Sequence, residues 1–297
     1  MLTVVICGLI TFIFLLLLIW AGLVGAAETE PDKTFLWRVK SPSTTAYVLG
    51  SIHLATPKLY PLPRRIEESF DRADVLAVEV NINAVDQIKV QEWLAANGFY
   101  PENQSLEQNL SATAKADLAR LGIDIQTLNR LRPWLAAVTL QARQLKNLGF
   151  DEAHGVDKHF LDKADKAKKP IRELESILYQ LACFSGLSEK DQEIFLSSTL
   201  AEWDNVAVMV NKIIKAWRIG AAGSFEDIFF KQYREHPELN PVAEKLIFQR
   251  NAVMAAQIED FLTSGKTYFV IVGAGHLVGK RGVIHLLKAK GYKVEQL

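Results

Sequence analysis

The sequence predicts an α/β fold, in which a central mixed β-sheet is built from strands at both ends of the chain and a large helical insertion lies between them. Two observations predict it. Short apolar runs typical of strands cluster near the two ends, whereas the pattern from about 84 to 262 is mostly helical and amphipathic. Neither end could bury its strands alone, so we expect both ends to pair in one sheet.

The first elements are short. Residues 35–39 and 46–49 are predicted to form a hairpin, because a Ser-Pro-Ser turn separates these two apolar runs. A proline-punctuated loop follows, then a helix at 64–71 and a strand at 73–80. Several helices are expected over 84–149, where Gly and Pro residues interrupt the amphipathic pattern.

The second half continues with helices and returns to strands. Helices are predicted at 151–166, 176–220 and 225–262, with a short strand-like segment at 169–175. The apolar run 267–272 is the next strand. A helix at 281–290 follows, with Gly291 at its end, and residues 292–295 form a last short strand.

The N-terminal segment predicts export. Residues 2–27 carry no charge and are long enough to span a bilayer as a helix. Small residues at 24–27 resemble a signal-peptidase site. The segment is therefore a cleaved signal peptide or an uncleaved membrane anchor, with a core helix as the third alternative. The predicted organisation is a signal peptide or anchor at 1–27, a linker at 28–33 and one domain at 34–297, in a periplasmic, extracellular or membrane-anchored protein.

Charge and cysteine content exclude some functions. Lys and Arg total 34, as do Asp and Glu, so no basic excess predicts a nucleic-acid partner. Of the two cysteines, Cys7 lies in the N-terminal segment and Cys183 lies in the predicted domain. The predicted domain can therefore form neither an internal disulfide nor a cysteine-based zinc cluster.

A G-x-x-H motif occurs twice, each time after an apolar strand. His53 ends the first copy and His276 the second. Ligands of α/β proteins bind at the carboxyl ends of strands, so two histidines placed there could meet in one site. Glycine before the turn allows positive φ or a close backbone approach. A neutral imidazole can bind a metal or act as a base.

Three further residues are candidates for the same site. Glu79 ends an otherwise apolar strand, where an unpaired buried carboxylate would be costly unless a metal or an arginine compensates it. Glu175 ends the segment 169–175, and Arg250 lies within a predicted helix. From the pattern alone, solvated carboxylates and a surface arginine are the alternative interpretations.

Taken together, these motifs resemble those of the TraB/GumN family. The resemblance runs in order from about residue 34 to 297 and rests on residues 49–53, 59–63, 132–136, 155–157, 174–175, 272–279, 282–283 and 291–294. The family includes the Tiki metal-dependent proteases and is related to erythromycin-esterase-like and haem-binding ChaN-like proteins. The resemblance implies a site of His53, Glu79, Glu175, Arg250 and His276.

The expected function is a metal-dependent, peptidase-like hydrolase. His53, Glu79 and His276 would bind a divalent cation such as Mn, Co or Zn, and Glu175 and Arg250 would be catalytic: the glutamate as general base, the arginine orienting a carboxylate or stabilising an oxyanion. The substrate would be a peptide or a small molecule. Two alternatives stay open: a ChaN-like protein that binds haem or metal without turnover, and a hydrolase that uses His and Glu without metal.

Overall fold

A six-stranded mixed sheet is the centre of the computed structural model, which describes residues 32–297. The N-terminal apolar helix predicted from the sequence lies outside the described residues. The strands are β1 (Leu36–Lys40), β2 (Thr45–Ser51), β3 (Val75–Val78), β4 (Ile171–Glu173), β5 (Tyr268–Gly273) and β6 (Lys293–Gln296). Their order across the sheet is β4-β3-β5-β2-β1-β6.

The two ends of the described chain pair in this sheet, as the sequence predicts. β1 and β2 form the expected antiparallel hairpin, and β6 adds to β1 in antiparallel fashion. β5 lies between β2 and β3 and is parallel to both; Gly273 of β5 stands opposite Ser51 of β2. β4 extends the parallel part beside β3. Four neighbouring strands therefore end at the same edge of the sheet.

Helices form most of the rest of the described chain, together with short 3₁₀ turns and loops. They are α1 (Arg64–Arg72), α2 (Gln87–Asn97), α3 (Leu106–Asn109), α4 (Ala112–Arg120), α5 (Pro133–Asn147), α6 (Val156–Ala167), α7 (Ile177–Ser185), α8 (Glu189–Ala201), α9 (Val206–Arg218), α10 (Ala222–Phe229), α11 (Lys231–Glu235), α12 (Asn240–Ala243), α13 (Gln249–Phe261), α14 (Ala274–Leu277) and α15 (Val283–Ala289). A π-helical segment, Glu244–Phe248, joins α12 to α13.

Two details differ from the sequence prediction. The helix expected at 151–166 begins later: a 3₁₀ turn (Glu152–His154) precedes Gly155, and α6 starts at Val156. The segment before α6 instead pairs with the chain after β2, because Asp151 forms a β-bridge with Ala55 and the N–H of Val156 donates to the carbonyl of Ile52. This close packing requires a glycine at 155, where a Cβ atom would lie 2.2 Å from the carbonyl oxygen of His53. The central insertion also contributes β4 to the sheet, so it is not helical throughout.

Helices α1, α6 and α9 each contact a strand of the sheet. The rings of Phe70 in α1, Phe160 in α6 and Phe269 in β5 pack together with centroids 5.0 to 5.6 Å apart. In α9, the Trp217 indole donates a 2.7 Å hydrogen bond to the carbonyl of Gly50 in β2. Within residues 32–297, no helix is long and apolar enough to cross a bilayer.

Candidate functional site

Each of the four parallel strands is followed by one residue of the site predicted from the sequence. Glu175 follows β4, Glu79 follows β3, His276 follows β5 and His53 follows β2. This edge of a parallel sheet is where α/β proteins bind their ligands. Arg250 reaches the same cluster from α13. All five side chains are buried, and none is more than 8% exposed. The structure brings these residues together, while their roles stay predictions.

Gly273 marks the point where the two histidines approach each other. A Cβ atom at this position would lie 3.0 Å from Nε2 of His53, 3.4 Å from Oε1 of Glu79 and 3.4 Å from Cδ2 of His276. Because both atoms are measured from the same point, Nε2 of His53 and Cδ2 of His276 are separated by at most the sum of 3.0 and 3.4 Å. With φ of −51°, Gly273 is needed for close approach and not for an unusual backbone conformation.

His53 is oriented by a carboxylate. Its Nδ1 lies 3.1 Å from Oδ1 of Asp157 in the first turn of α6. Ser51 fixes that carboxylate, because its hydroxyl donates to the same oxygen over 2.8 Å and accepts the Asp157 backbone N–H over 3.2 Å. Burial disfavours the charged imidazole, but the charge and hydrogen bond of Asp157, together with the charge of Glu79, outweigh it, so the pKa of His53 is raised. With Nδ1 directed to Asp157, Nε2 is on the side of Gly273.

His276 is oriented by an amide and has the opposite electrostatic character. Its Nδ1 lies 2.5 Å from Oδ1 of Asn251, whose Nδ2 donates to the carbonyl of Arg281 over 2.8 Å. Burial lowers the pKa of His276 well below its ordinary value, and the positive charges of Arg250 and His53 lower it further. His276 is therefore a neutral imidazole near pH 7.

Arg250 is the central cation of the cluster, and each of its five N–H groups has a protein acceptor. Nε donates to Glu175 over 2.8 Å; Nη2 donates to Glu175 and, over 2.8 Å, to Oε2 of Glu79. Nη1 donates to the carbonyl of Leu246 over 2.9 Å and lies 3.3 Å from Nε2 of His276. Burial opposes its charge, but Glu79 and Glu175 outweigh this effect and raise the pKa of Arg250.

The π-helical segment Glu244–Phe248 leads directly into the turn that carries Arg250. Gln249 N–H bonds to the carbonyl of Glu244, five residues earlier, which is the π-helical pattern. The widened turn contains Leu246, whose carbonyl accepts from the Arg250 side chain. Such segments are frequent at functional sites, and here the segment positions a buried guanidinium.

The two glutamates share donors. Oε1 of Glu79 accepts the backbone N–H of Gly273 over 2.5 Å. Nε2 of Gln180 in α7 donates both to Oε2 of Glu79 (3.0 Å) and to Oε2 of Glu175 (2.9 Å). Burial raises the pKa of Glu79, although Arg250 and other neighbours favour its charged form. Gln180 and Arg250 together hold both carboxylates in place.

The donor atoms fit a divalent cation in kind and in charge. Nε2 of His53, a carboxylate oxygen of Glu79 and the ring of His276 converge near Gly273, and imidazole N and carboxylate O donors suit zinc, manganese or cobalt. The carboxylates of Glu79, Glu175 and Asp157 outnumber the one guanidinium among them. As the side chains stand, residues 32–297 contain no group of three or more His, Cys, Asp or Glu that could hold a metal ion. Arg250 contacts two of the predicted ligands, Glu79 and His276.

Sequence reasoning did not identify three polar residues of the site. Asp157 lies in one of the segments that carry the family resemblance, but nothing in the sequence connects it to His53 across 104 residues. Gln180 is five residues from Glu175, and Asn251 is adjacent to Arg250. Proximity in the sequence was the available signal for these two. Only helix packing shows that they contact the predicted residues.

Fold and site together define an α/β protein with a buried His/Glu/Arg cluster at the carboxyl ends of four parallel strands. The chain belongs to the TraB/PrgY/gumN family, whose family model matches residues 35–296. It is similar to the uncharacterized protein YbaP of Escherichia coli, with 26% identity over 275 residues, which cover 91% of this chain and 97% of that protein. YbaP of Shigella flexneri is 27% identical over the same shares.

Metalloproteases are among the more distant relatives. The metalloprotease TIKI homolog of Amphimedon queenslandica is 21% identical over 330 residues, covering 93% of this chain and 64% of that protein. Metalloprotease TIKI1 of Xenopus tropicalis is also 21% identical, and the match covers 61% of its length. This chain thus spans less than two thirds of those relatives. No solved structure matches it.

Proposed function

We propose that this protein is a metal-dependent hydrolase that cleaves peptide-like substrates. The observation that carries the proposal is the convergence of His53 Nε2, Glu79 Oε1 and the His276 ring beside Gly273. The similarity to TIKI metalloproteases supports the same chemistry. His53, Glu79 and His276 would bind the cation, which would lower the pKa of a bound water and polarise the scissile carbonyl.

The surrounding residues would prepare this site for binding. Asp157 and Asn251 would hold the two imidazoles with Nδ1 turned away from the ligand, an arrangement common to metal-binding histidines. Burial of every member excludes bulk water and strengthens the electrostatic interactions among them. The chain's own N–H and carboxylate groups would therefore set both the orientation and the charge of the site.

Glu175 and Arg250 are proposed as the catalytic pair. Both oxygens of Glu175 accept hydrogen bonds from Arg250, so the carboxylate would turn to act as a general base only by breaking these bonds. Arg250 likewise would contact a substrate oxygen only by giving up a present acceptor. In the structure Arg250 is the counter-ion of Glu175 and holds its carboxylate in place.

Metal analysis of the purified full chain tests the proposal. We expect stoichiometric binding of Mn²⁺, Co²⁺ or Zn²⁺, peptidase activity that is lost with a chelator and restored by the metal, and loss of both in His53→Ala and His276→Ala. His285→Ala is the matched control, because His285 is exposed on α15. A wild-type protein that binds no metal, and hydrolysis that survives both histidine substitutions, would refute the proposal.

A metal-free hydrolase is the second candidate, and the pair of His53 and Asp157 favours it. A carboxylate on Nδ1 strengthens an imidazole as a base, and Nε2 of His53 would then take a proton from water. In that case activity persists in chelator but is lost in His53→Ala. A haem titration addresses the alternative without turnover, because axial ligation would shift the Soret band.

Export belongs to the same proposal and rests on the apolar segment 2–27. Fractionation of cells that express the full chain, followed by N-terminal sequencing of the mature protein, would distinguish a cleaved signal peptide from a membrane anchor.

A further inference from the structure

The hydrogen bond at Nδ1 of His276 determines the tautomer of the ring, and thereby whether Nε2 has a lone pair that can accept. Asn251 uses its Nδ2 to donate to the carbonyl of Arg281, so its Oδ1 is the acceptor that faces His276. Nδ1 of His276 must therefore carry the hydrogen. In a neutral imidazole with this tautomer, Nε2 accepts one hydrogen bond or one metal ion.

Arg250 is directed at that lone pair. Its Nη1 lies 3.3 Å from Nε2 of His276, and its Nη2 donates to Glu79 over 2.8 Å. The guanidinium thus engages two of the three proposed metal ligands. It is 1% exposed, and its position is fixed by hydrogen bonds to Glu175 and to the carbonyl of Leu246.

We infer that Arg250 and a metal ion exclude each other at Nε2 of His276, so that Arg250 is an internal cation which an incoming metal must displace. This inference rests on the proposed metal-dependent function. A lone pair shared with an N–H group cannot also form a metal bond, and the guanidinium charge repels a divalent cation at the same ligands. Arg250 therefore stabilises the metal-free protein and lowers its metal affinity.

Three variants of the full chain separate charge from structure. Arg250→Met removes the cation and keeps an unbranched side chain. Arg250→Lys keeps the charge without the forked geometry. Glu175→Gln with Arg250→Met removes one charge of each sign, so it leaves less uncompensated charge buried and is the variant to use if the single Met variant does not fold. Arg281→Met is the matched control, because Arg281 is half-exposed and its side chain pairs with Glu244.

Calorimetric titration with Mn²⁺ and Co²⁺, together with thermal unfolding with and without metal, tests the inference. We expect Arg250→Met and the double variant to bind at least about tenfold more tightly than wild type. Metal-free Arg250→Met should melt at a lower temperature than wild type, and its melting temperature should rise more when metal is added. Arg250→Lys should bind within about threefold of wild type, because the positive charge is retained. Arg281→Met should bind as wild type does.

Each outcome is decisive. If wild type binds metal and the Arg250 variants bind it equally or more weakly, the exclusion is wrong while the proposed function stands. If no protein in the set binds either metal, the metal-dependent function fails and the inference fails with it. Binding by all proteins with equal metal-induced stabilisation would also overturn the inference.

Discussion

Gly273→Ala tests directly whether the space between the two histidines is the working site. The added methyl carbon would lie 3.0 Å from Nε2 of His53 and 3.4 Å from both Oε1 of Glu79 and Cδ2 of His276. Ordinary contacts between such atoms are about 3.5 to 4.0 Å, so the His53 ring must shift by about 0.5 Å. The backbone angles of −51° and 136° suit any residue, so no backbone strain is added. Overpacking of this kind costs about 1 kcal/mol of folding free energy.

The effect on function should be much larger than the effect on stability. The methyl group fills the space in which the three side chains converge, and we expect metal affinity and turnover to fall about 100-fold, which corresponds to about 2.7 kcal/mol. Chemical denaturation, metal titration and peptidase assays measure the three quantities. Gly223→Ala in α10 is the matched control, because a Cβ atom there meets no neighbour within 4 Å. A folded Gly273→Ala protein with unchanged metal binding and turnover would refute this location of the site.

Two further predictions concern charged side chains beside helix α6. Asp157→Asn should lower the pKa of His53, because the carboxylate that raises this pKa in the wild type is absent from the variant. Metal binding should weaken about 10- to 100-fold. NMR titration of the imidazole and titration with metal would measure these effects, and an unchanged His53 pKa would contradict the role assigned to Asp157. Burial disfavours ionised Glu67, but hydrogen bonds with His159 and Lys163 outweigh it and lower the pKa of Glu67. The stability from this ionised group is present above the ordinary glutamate pKa of about 4.3 and is lost as pH falls through the lower folded value. Denaturation from pH 6 to 3 should therefore show a steeper loss in wild type than in Glu67→Gln, and equal slopes would be the contrary result.

The sequence was sufficient to predict which strand ends come together. An apolar run followed by G-x-x-H identifies a strand and its carboxyl end, and the short β-rich termini of the domain must pair to bury their faces. From these facts the meeting of His53 and His276 follows. The carboxyl end of the strand before Glu79 could be located in the same way, because an acidic residue follows its apolar run.

Contacts made by helices could not be predicted in this way. Asp157 reaches His53 because α6 begins at Val156, and that start depends on the close packing of Gly155 against a carbonyl far away in the sequence. The π-helical turn before Arg250 has no signature in a hydrophobic pattern. A periodic pattern identifies which face of a helix is buried, whereas these contacts depend on the position and start of each helix relative to the sheet.

The helices make two similar motifs chemically different. Both histidines follow a strand and a glycine, and both are buried beside Gly273. Asp157 gives His53 a neighbouring negative charge, which raises its pKa, while Arg250 gives His276 a positive one, which lowers it further than burial alone. Environments that push neighbouring pKa values apart are typical of sites that bind a ligand with one group and move a proton with another. The sheet therefore brings the imidazoles together, and the inserted helices decide which of them readily accepts a proton and which stays neutral.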